Sequence, residues 1–244
     1  MSGALSAVLP PDDRNAILES IGRDSRKAVQ RGLPAVLLDA DQLLFTEEEG
    51  VEGLYFPLSA LICRLVSLPD GSTVKVSLAG REGMVGMSSL LDGSSSAFRT
   101  VVQLPGTALF LPRREARRLL DVPRVAEALF RYVRVLLRET SLTAACNRSH
   151  TATQRLSRWL LLIRDRAERD EFPITHESLA AMLGVRRERV SLSAQELRNN
   201  GALDYRRGTI AITNGAVLES ESCSCYEAIT NGYMRFLESA LKRH

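Results

Sequence analysis

Charged and hydrogen-bonding side chains crowd the start of one segment in the last third of the chain. They are Arg186, Arg187, Glu188, Arg189 and Ser191. Apolar residues then recur at helical spacing, at Val190, Ala194 and Leu197. A guanidinium group can donate two hydrogen bonds to guanine, and a carboxylate can accept one from the amino group of cytosine. An amphipathic helix with such a tip suits the major groove of DNA.

A shorter helical pattern precedes this segment and would position it. Leu179, Met182 and Leu183 have helical spacing after Thr175, which is a favourable N-cap residue. Gly184 follows, and glycine tolerates the positive φ that a sharp turn between helices requires. The two segments together predict a helix-turn-helix with Thr175 beside the DNA.

The segment that follows predicts a wing. Apolar residues alternate as in two strands, at Leu203, Tyr205, Ile210 and Ile212, and the basic turn Arg206-Arg207-Gly208 joins them. We expect Arg186, Arg206 and Arg207 to contact phosphates, which position a protein on DNA without specifying a sequence. The alternative is an amphipathic helix pair whose arginine face is merely solvated.

The composition is that of an ordinary globular protein. Hydrophobic residues make up 45% and charged residues 25% of the 244 residues, and the formal net charge is only +3. This length favours two modest domains. Apolar runs are too short to span a membrane, the N-terminus lacks the pattern of a secretory signal, and four cysteines are too few for a disulfide framework. We therefore expect a cytoplasmic protein with no membrane partner.

Before the basic segment, the chain changes from helical to extended and back to helical patterns. Residues 12–30 have helical spacing. Seven short extended runs follow, at 35–38, 43–46, 54–57, 61–68, 74–78, 98–104 and 108–111, and they predict an all-β sandwich or roll. The later helical patterns cover 112–120, 123–146, 152–168 and 226–241. The polar run 164–171 would separate the helix at 152–168 from the helix-turn-helix.

The helix at 123–146 is long and has a continuous apolar seam. The seam consists of Val125, Leu129, Tyr132, Leu136 and Thr143. Such a helix at the end of a β domain is suited to dimerisation, unless its seam packs on its own β domain. The sequence predicts an α+β fold with an N-terminal β-roll of the cupin-like jelly-roll type. The predicted divisions are a sensory β-roll at 1–120, a dimerisation helix at 121–147 and a winged helix-turn-helix domain at 148–244.

This order of elements resembles the Crp/Fnr family of transcription regulators, over nearly the whole chain. The resemblance rests on Leu179-Ala-Ala-Met-Leu-Gly-Val-Arg-Arg-Glu-Arg-Val, Gly201-Ala-Leu, Gly83-Met-Val-Gly and Arg155-Leu-Ser-Arg-Trp-Leu-Leu. It implies a homodimer that binds two-fold symmetric double-stranded DNA, with RNA polymerase as a further partner. It also implies that a small molecule or redox event in the β domain resets the helix pair.

The resemblance assigns roles within the recognition helix. In the family an Arg-Glu pair and a further Arg four residues later read the bases. Arg187 and Glu188 match the pair, but the third position is Leu192, which cannot form a hydrogen bond with a base. Ser191 or Arg189 could compensate.

The effector site matches the family only in part. Cyclic-nucleotide members hold the ligand with a Gly-Glu pair and an Arg-Ser or Arg-Thr pair. Here Gly86-Met87 replaces Gly-Glu, so the acceptor for the ribose hydroxyl is missing, and Arg99-Thr100 matches the phosphate pair only after a one-residue deletion. Thr140-Ser141 match the hydroxyls that face adenine. We take these six residues as effector candidates and expect no cyclic AMP binding of the usual kind. A cyclic-nucleotide-responsive regulator and a regulator without a ligand stay open.

The thiols do not predict a metal site. No cysteine precedes Cys63, which argues against the N-terminal iron–sulfur cluster of oxygen-sensing relatives. Cys223-Ser-Cys225 is a weak metal signal, and we expect Cys63 and Cys146 to be small buried hydrophobic residues. The three histidines, His150, His176 and His244, are too scattered to indicate zinc. The effector therefore stays unknown, and no metal is predicted.

Two other classes of function compete with DNA binding. One is a ligand-binding or scaffold module whose helix pair contacts protein. The other is an enzyme, but the sequence lacks a nucleophile elbow, a phosphate loop, a zinc-protease motif and a dinucleotide fingerprint. We predict no catalytic residue.

Overall fold

The computed structural model of the protein describes residues 14–21, 33–91 and 95–241. Of the helix predicted at 12–30, the described part forms α1 (Ala16–Ser20), where the Asn15 side chain caps the helix by accepting the Ile17 amide. The remainder of that prediction, and His244, lie outside the described residues.

Seven strands form two antiparallel sheets in the N-terminal half. The strands are β1 (Ala35–Leu38), β2 (Leu43–Phe45), β3 (Gly53–Pro57), β4 (Leu61–Ser67), β5 (Thr73–Ala79), β6 (Arg99–Leu104) and β7 (Gly106–Pro112). Their order is β1-β7-β3 in one sheet and β2-β6-β4-β5 in the other. Each predicted extended run is a strand, with bounds that differ by at most two residues. The α+β class, with its N-terminal β domain and C-terminal helix-turn-helix, is confirmed.

Helices dominate the remainder of the chain. They are α2 (Ser88–Leu91), α3 (Arg113–Leu119), α4 (Pro123–Ser149), α5 (Ala152–Ala167), α6 (His176–Leu183), α7 (Arg187–Asn199), α8 (Gly215–Ser220) and α9 (Cys225–Leu241). The wing strands β9 (Leu203–Arg206) and β10 (Thr209–Ile212) form a sheet with β8 (Glu171–Pro173), in the order β8-β10-β9. The elements α2, β8 and α8 were not predicted from the sequence.

The long helix α4 turns the predicted seam inwards. Val125, Leu129, Tyr132 and Thr143 are buried in the chain's own core. The interpretation of these residues as a dimer interface is therefore wrong, because α9 and the β domain already cover that face. Among the described residues of α4, the large apolar side chains that are exposed are Phe130 and Leu137, at 65% and 62%.

A buried ionic network joins the two halves of the chain. The Arg166 Nε donates to Glu82 at 2.8 Å, and its Nη2 donates to Glu139 at 3.1 Å. The Tyr233 hydroxyl donates to the other oxygen of Glu139 at 2.6 Å. The first residues of the polar run at 164–171, namely 164–166, are thus buried within α5. Burial alone lowers the pKa of Arg166, but Glu139 and Glu82 raise it above its usual value.

Candidate nucleic-acid interface and ligand cavity

The first turn of α7 carries the residues that are predicted to contact the bases of DNA. Arg186 is its N-cap, and the side chains of Arg187, Glu188 and Arg189 are exposed. Gly184 ends α6 in the left-handed conformation at φ 59°, as the turn between the helices requires. Thr175 is exposed and caps α6 by accepting the Ser178 amide at 3.1 Å. The structure therefore brings these candidates to one surface.

His176 joins the three parts of this surface, and it was not among the residues predicted from the sequence. Its Nδ1 lies 3.0 Å from the Ser191 hydroxyl on α7, and its ring stacks on Tyr205 of the wing at a centroid distance of 4.3 Å. Burial, and then the charge of Arg187, lower the pKa of His176. A helical position that follows an N-cap threonine gives no sequence signal for such a contact. Ser191 thus holds His176 and is only half-exposed.

The wing presents its arginines at a tight turn. Arg207 has φ 48° and Gly208 has φ 82°, the left-handed conformations of a two-residue hairpin loop. Arg206 is 80% exposed in its side chain and forms an ion pair with Asp204 at 2.7 Å. Asp204 also accepts from Arg198 of α7 at 3.1 Å, which ties the wing to the recognition helix.

Leu192 lies among these polar groups and is 65% exposed. A single exposed leucine is ordinary on a protein surface and by itself indicates no partner. The methyl group of thymine is an apolar partner of suitable size in the major groove.

A cavity of about 340 Å³ lies between the β domain and α4. Of the six effector candidates, Gly86, Met87, Thr100 and Thr140 line it. Arg99 and Ser141 are exposed and are not among the lining residues. The Thr140 hydroxyl donates to carbonyls of its own helix, so it is engaged within α4.

Arg64 is the one charged residue among the described residues that line the cavity. Its guanidinium is held by the Ser77 hydroxyl at 3.0 Å, the Tyr132 hydroxyl at 3.1 Å and the Met84 carbonyl. It was not predicted from the sequence, because an arginine in a strand is usually solvated. The cavity is otherwise mainly apolar, through residues such as Phe98 and Leu136.

The helix-turn-helix also rests on the β domain. The Lys75 ammonium group of β5 donates to the Ser178 hydroxyl of α6 at 2.7 Å, and to the side-chain oxygen of Gln103. Lys75 is 6% exposed, and burial lowers its pKa. This contact links α6 to the β domain.

The cysteines and His150 agree only in part with the prediction from the sequence. Cys63 and Cys146 are buried, as predicted. However, His150 is not isolated, because α9 packs along α4 and brings Cys223 and Cys225 to it.

Two family profiles match the chain. The profile described as a cyclic nucleotide-binding domain matches residues 35–122, and the profile described as a Crp-like helix-turn-helix domain matches residues 154–221. Together they cover both halves of the fold. A comparison with curated protein sequences found no match. No helix in the described part of the chain has the length and apolarity to cross a membrane.

Solved structures share the fold at low sequence identity. FixK2 from Bradyrhizobium japonicum is 18% identical with a TM-score of 0.67, and the match covers 78% of this chain and 98% of that one. A transcriptional regulator of the CRP family from Thermus thermophilus is 22% identical with a TM-score of 0.63, over 77% and 96%. The c-di-GMP-responsive global regulator CLP from Xanthomonas campestris is 15% identical with a TM-score of 0.65, over 78% and 99%.

Proposed function

We propose that this chain, which belongs to the Crp/Fnr family of DNA-binding transcription regulators, binds a two-fold symmetric operator as a homodimer. Arg187 and Glu188 would read base edges, and Leu192 would contact a thymine methyl group. Arg186, Arg206 and Arg207 would contact phosphates, and Ser191 or Arg189 would supply a further polar contact to a base. The observation that carries this proposal is the exposed, uncovered tip of α7 beside the basic wing turn. Members of the family are not enzymes, so the enzymatic alternative does not hold.

A second copy of the chain would pack along the exposed stripe of α4. Phe130 and Leu137 are seven positions apart on α4, with Ala144 a further seven positions along and the half-buried Val133 beside them. This heptad spacing is that of a coiled-coil seam. We keep the three-part division of the chain, with α4 as the dimerisation helix, and RNA polymerase as a partner that the resemblance implies.

The effector would not be a cyclic nucleotide held in the usual way. Met87 supplies no acceptor for a ribose hydroxyl, Arg99 does not line the cavity, and Arg64 is already held by protein groups. The lining favours a small, mainly apolar molecule. Because Val133 and Leu137 also belong to the α4 stripe, such a molecule would contact the residues that meet the second copy.

The test compares two arginine variants on DNA. The duplex is one that the wild-type protein selects from random sequence, and a scrambled duplex is the control. Arg187→Ala should lose about 1–3 kcal/mol of discrimination between the two, the cost of one bidentate base contact. Arg206→Ala should weaken both duplexes equally and lower the slope of affinity against salt by about one.

If Arg187→Ala lost affinity equally for both duplexes, that result would contradict the role of Arg187 in base recognition. A wild-type protein whose binding shows no loss with salt would contradict the DNA-binding surface and favour the scaffold alternative. Footprinting of the selected duplex should show two protected half-sites about 34–36 Å apart, as two-fold related recognition helices require.

A further inference from the structure

Three cysteines and one histidine meet at the joint between the long helix and the DNA-binding half. They are Cys146 and His150 at the end of α4, and Cys223 and Cys225 at the start of α9. Their potential ligand atoms all lie within 4.8 Å of one another. We propose that these four residues form a tetrahedral Zn²⁺ site that fastens the end of the long helix to the C-terminal helix.

The spacing of the ligand atoms fits one tetrahedral ion. With zinc–sulfur bonds of about 2.3 Å, two sulfurs of a tetrahedron are about 3.8 Å apart. The Cys146 and Cys223 sulfurs are 3.5 Å apart, and the Cys225 sulfur is 3.7 Å from the His150 Nδ1. A cluster with two or more bridged irons would hold its ligands further apart, so a single ion fits this space better.

The elements preorganise the ligands. Cys146 and His150 are four residues apart and lie on the same face of α4, and the His150 amide closes the last turn by donating to the Cys146 carbonyl at 3.1 Å. The other two ligands come from the Cys-Ser-Cys turn that begins α9. A set of three thiolates and one imidazole leaves no open coordination position, which is typical of a structural zinc site and not of a catalytic one.

A buried arginine supplies an independent observation. Arg158 is fully buried, and its Nε and Nη2 atoms have no hydrogen-bond partner among the described residues. Its Nη1 donates to the hydroxyl of Thr143 at 3.2 Å, and Thr143 lies three residues before Cys146 on α4. Zinc with three thiolates and a neutral imidazole carries a net charge of −1, which a buried guanidinium would balance. Such outer groups tune the ligands of metal sites.

The position of the ion gives it a structural role. His150 is the C-cap of α4, and Thr151 is the N-cap of α5, so the site lies where the dimerisation helix passes into the DNA-binding half. Zinc would therefore fix this joint. Metal binding can be tested without DNA, so its failure would leave the proposed DNA binding untouched.

The first measurement is the metal content of the full chain, purified with its thiols reduced. Mass spectrometry should find one zinc ion per chain. After replacement of zinc by Co²⁺, the absorption spectrum should show thiolate-to-cobalt charge transfer and the intense d–d bands of a tetrahedral ion. His150→Ala should keep the charge-transfer band and shift the d–d bands, because the thiolates stay and the imidazole is lost.

The second measurement uses matched cysteine variants. The double variant Cys223→Ser/Cys225→Ser should lose zinc affinity by at least about tenfold, and added zinc should no longer raise its Tm. Cys63→Ala is the control, because Cys63 is a buried thiol of the β domain that is not part of the cluster, and it should retain one zinc ion. A reduced wild-type protein that takes up neither zinc nor cobalt would overturn the proposal. So would a stable Cys146–Cys223 disulfide that persists when zinc and reductant are supplied, or equal metal loss in the Cys63→Ala control.

Discussion

His176 is a small part of the recognition surface, but three elements depend on it. Its ring contacts Ser191 and Tyr205, and its Nε2 is buried with no hydrogen-bond partner among the described residues. A second proton on the ring would place a charge in a site where burial, and then Arg187, make a charge unfavourable. Burial and the charge of Arg187 therefore favour the neutral ring in the folded protein.

This predicts a loss of stability in mild acid. The pKa of His176 is lower in the folded protein than in the unfolded chain, where it is about 6.5. The unfolded chain thus takes up the proton first, and the stabilisation is complete above about pH 6.5 and declines as the pH falls towards the lowered folded value. Between pH 7 and pH 5, the Tm of the wild-type protein should fall more than that of His176→Gln. An equal fall in the two proteins would contradict the neutral ring.

At the scale of elements, α4 shows what periodicity can and cannot establish. Apolar spacing predicted a helix at 123–146, and α4 spans Pro123–Ser149. The same spacing did not reveal which stripe faces outwards. The stripe with the more continuous apolar residues is covered by the chain's own core, and Phe130 and Leu137 on the opposite side remain exposed.

The exposed stripe predicts the effect of a charge on assembly. Leu137→Glu places a carboxylate in the centre of the proposed seam, where each copy would face the same charge, and it should convert the dimer to a monomer. Arg124→Glu changes an exposed residue on another face of α4 and should leave the dimer intact. Sedimentation analysis distinguishes these states. A Leu137→Glu protein that remains dimeric would place the interface elsewhere.

Much of the fold, but less of the sites, followed from the sequence. The strands, α4 to α7 and the wing have local signals, such as alternation, Gly184 and the N-cap Thr175. The cavity residue Arg64 has none, and the cysteine–histidine cluster has only a partial one, because both depend on contacts between segments far apart in the chain. The spacing of Cys146 and His150, together with Cys223-Ser-Cys225, was the one signal that could have pointed to the cluster.

At the scale of the whole molecule, several charged side chains that would ordinarily lie on the surface are part of the core. Arg166 is fully buried between Glu82 of the β domain and Glu139 of α4. Sequence alone predicts such residues to be solvated, because charged side chains are rarely buried unless they are paired. The pairing comes from three separate segments and becomes apparent only in the folded chain.

Removal of Arg166 should destabilise the whole protein. Arg166→Met leaves two buried carboxylates without their shared partner, which typically costs about 3–5 kcal/mol in the free energy of unfolding. Denaturant unfolding measures this loss. Arg131→Ala is the control, because it removes only the half-exposed (i, i+4) pair with Glu127 on α4, and such a pair is typically worth about 0.3–0.5 kcal/mol. Similar losses in the two variants would contradict the role of the buried network.

The same network limits how domains of this protein can be exchanged with those of another regulator. A chimera that joined residues 148–244 to the β domain of another regulator would bury the Arg166 guanidinium without Glu82 or Glu139, and would leave Tyr233 without its acceptor. The C-terminal half is therefore not an interchangeable module. Successful domain exchange would have to transplant the two carboxylates together with it.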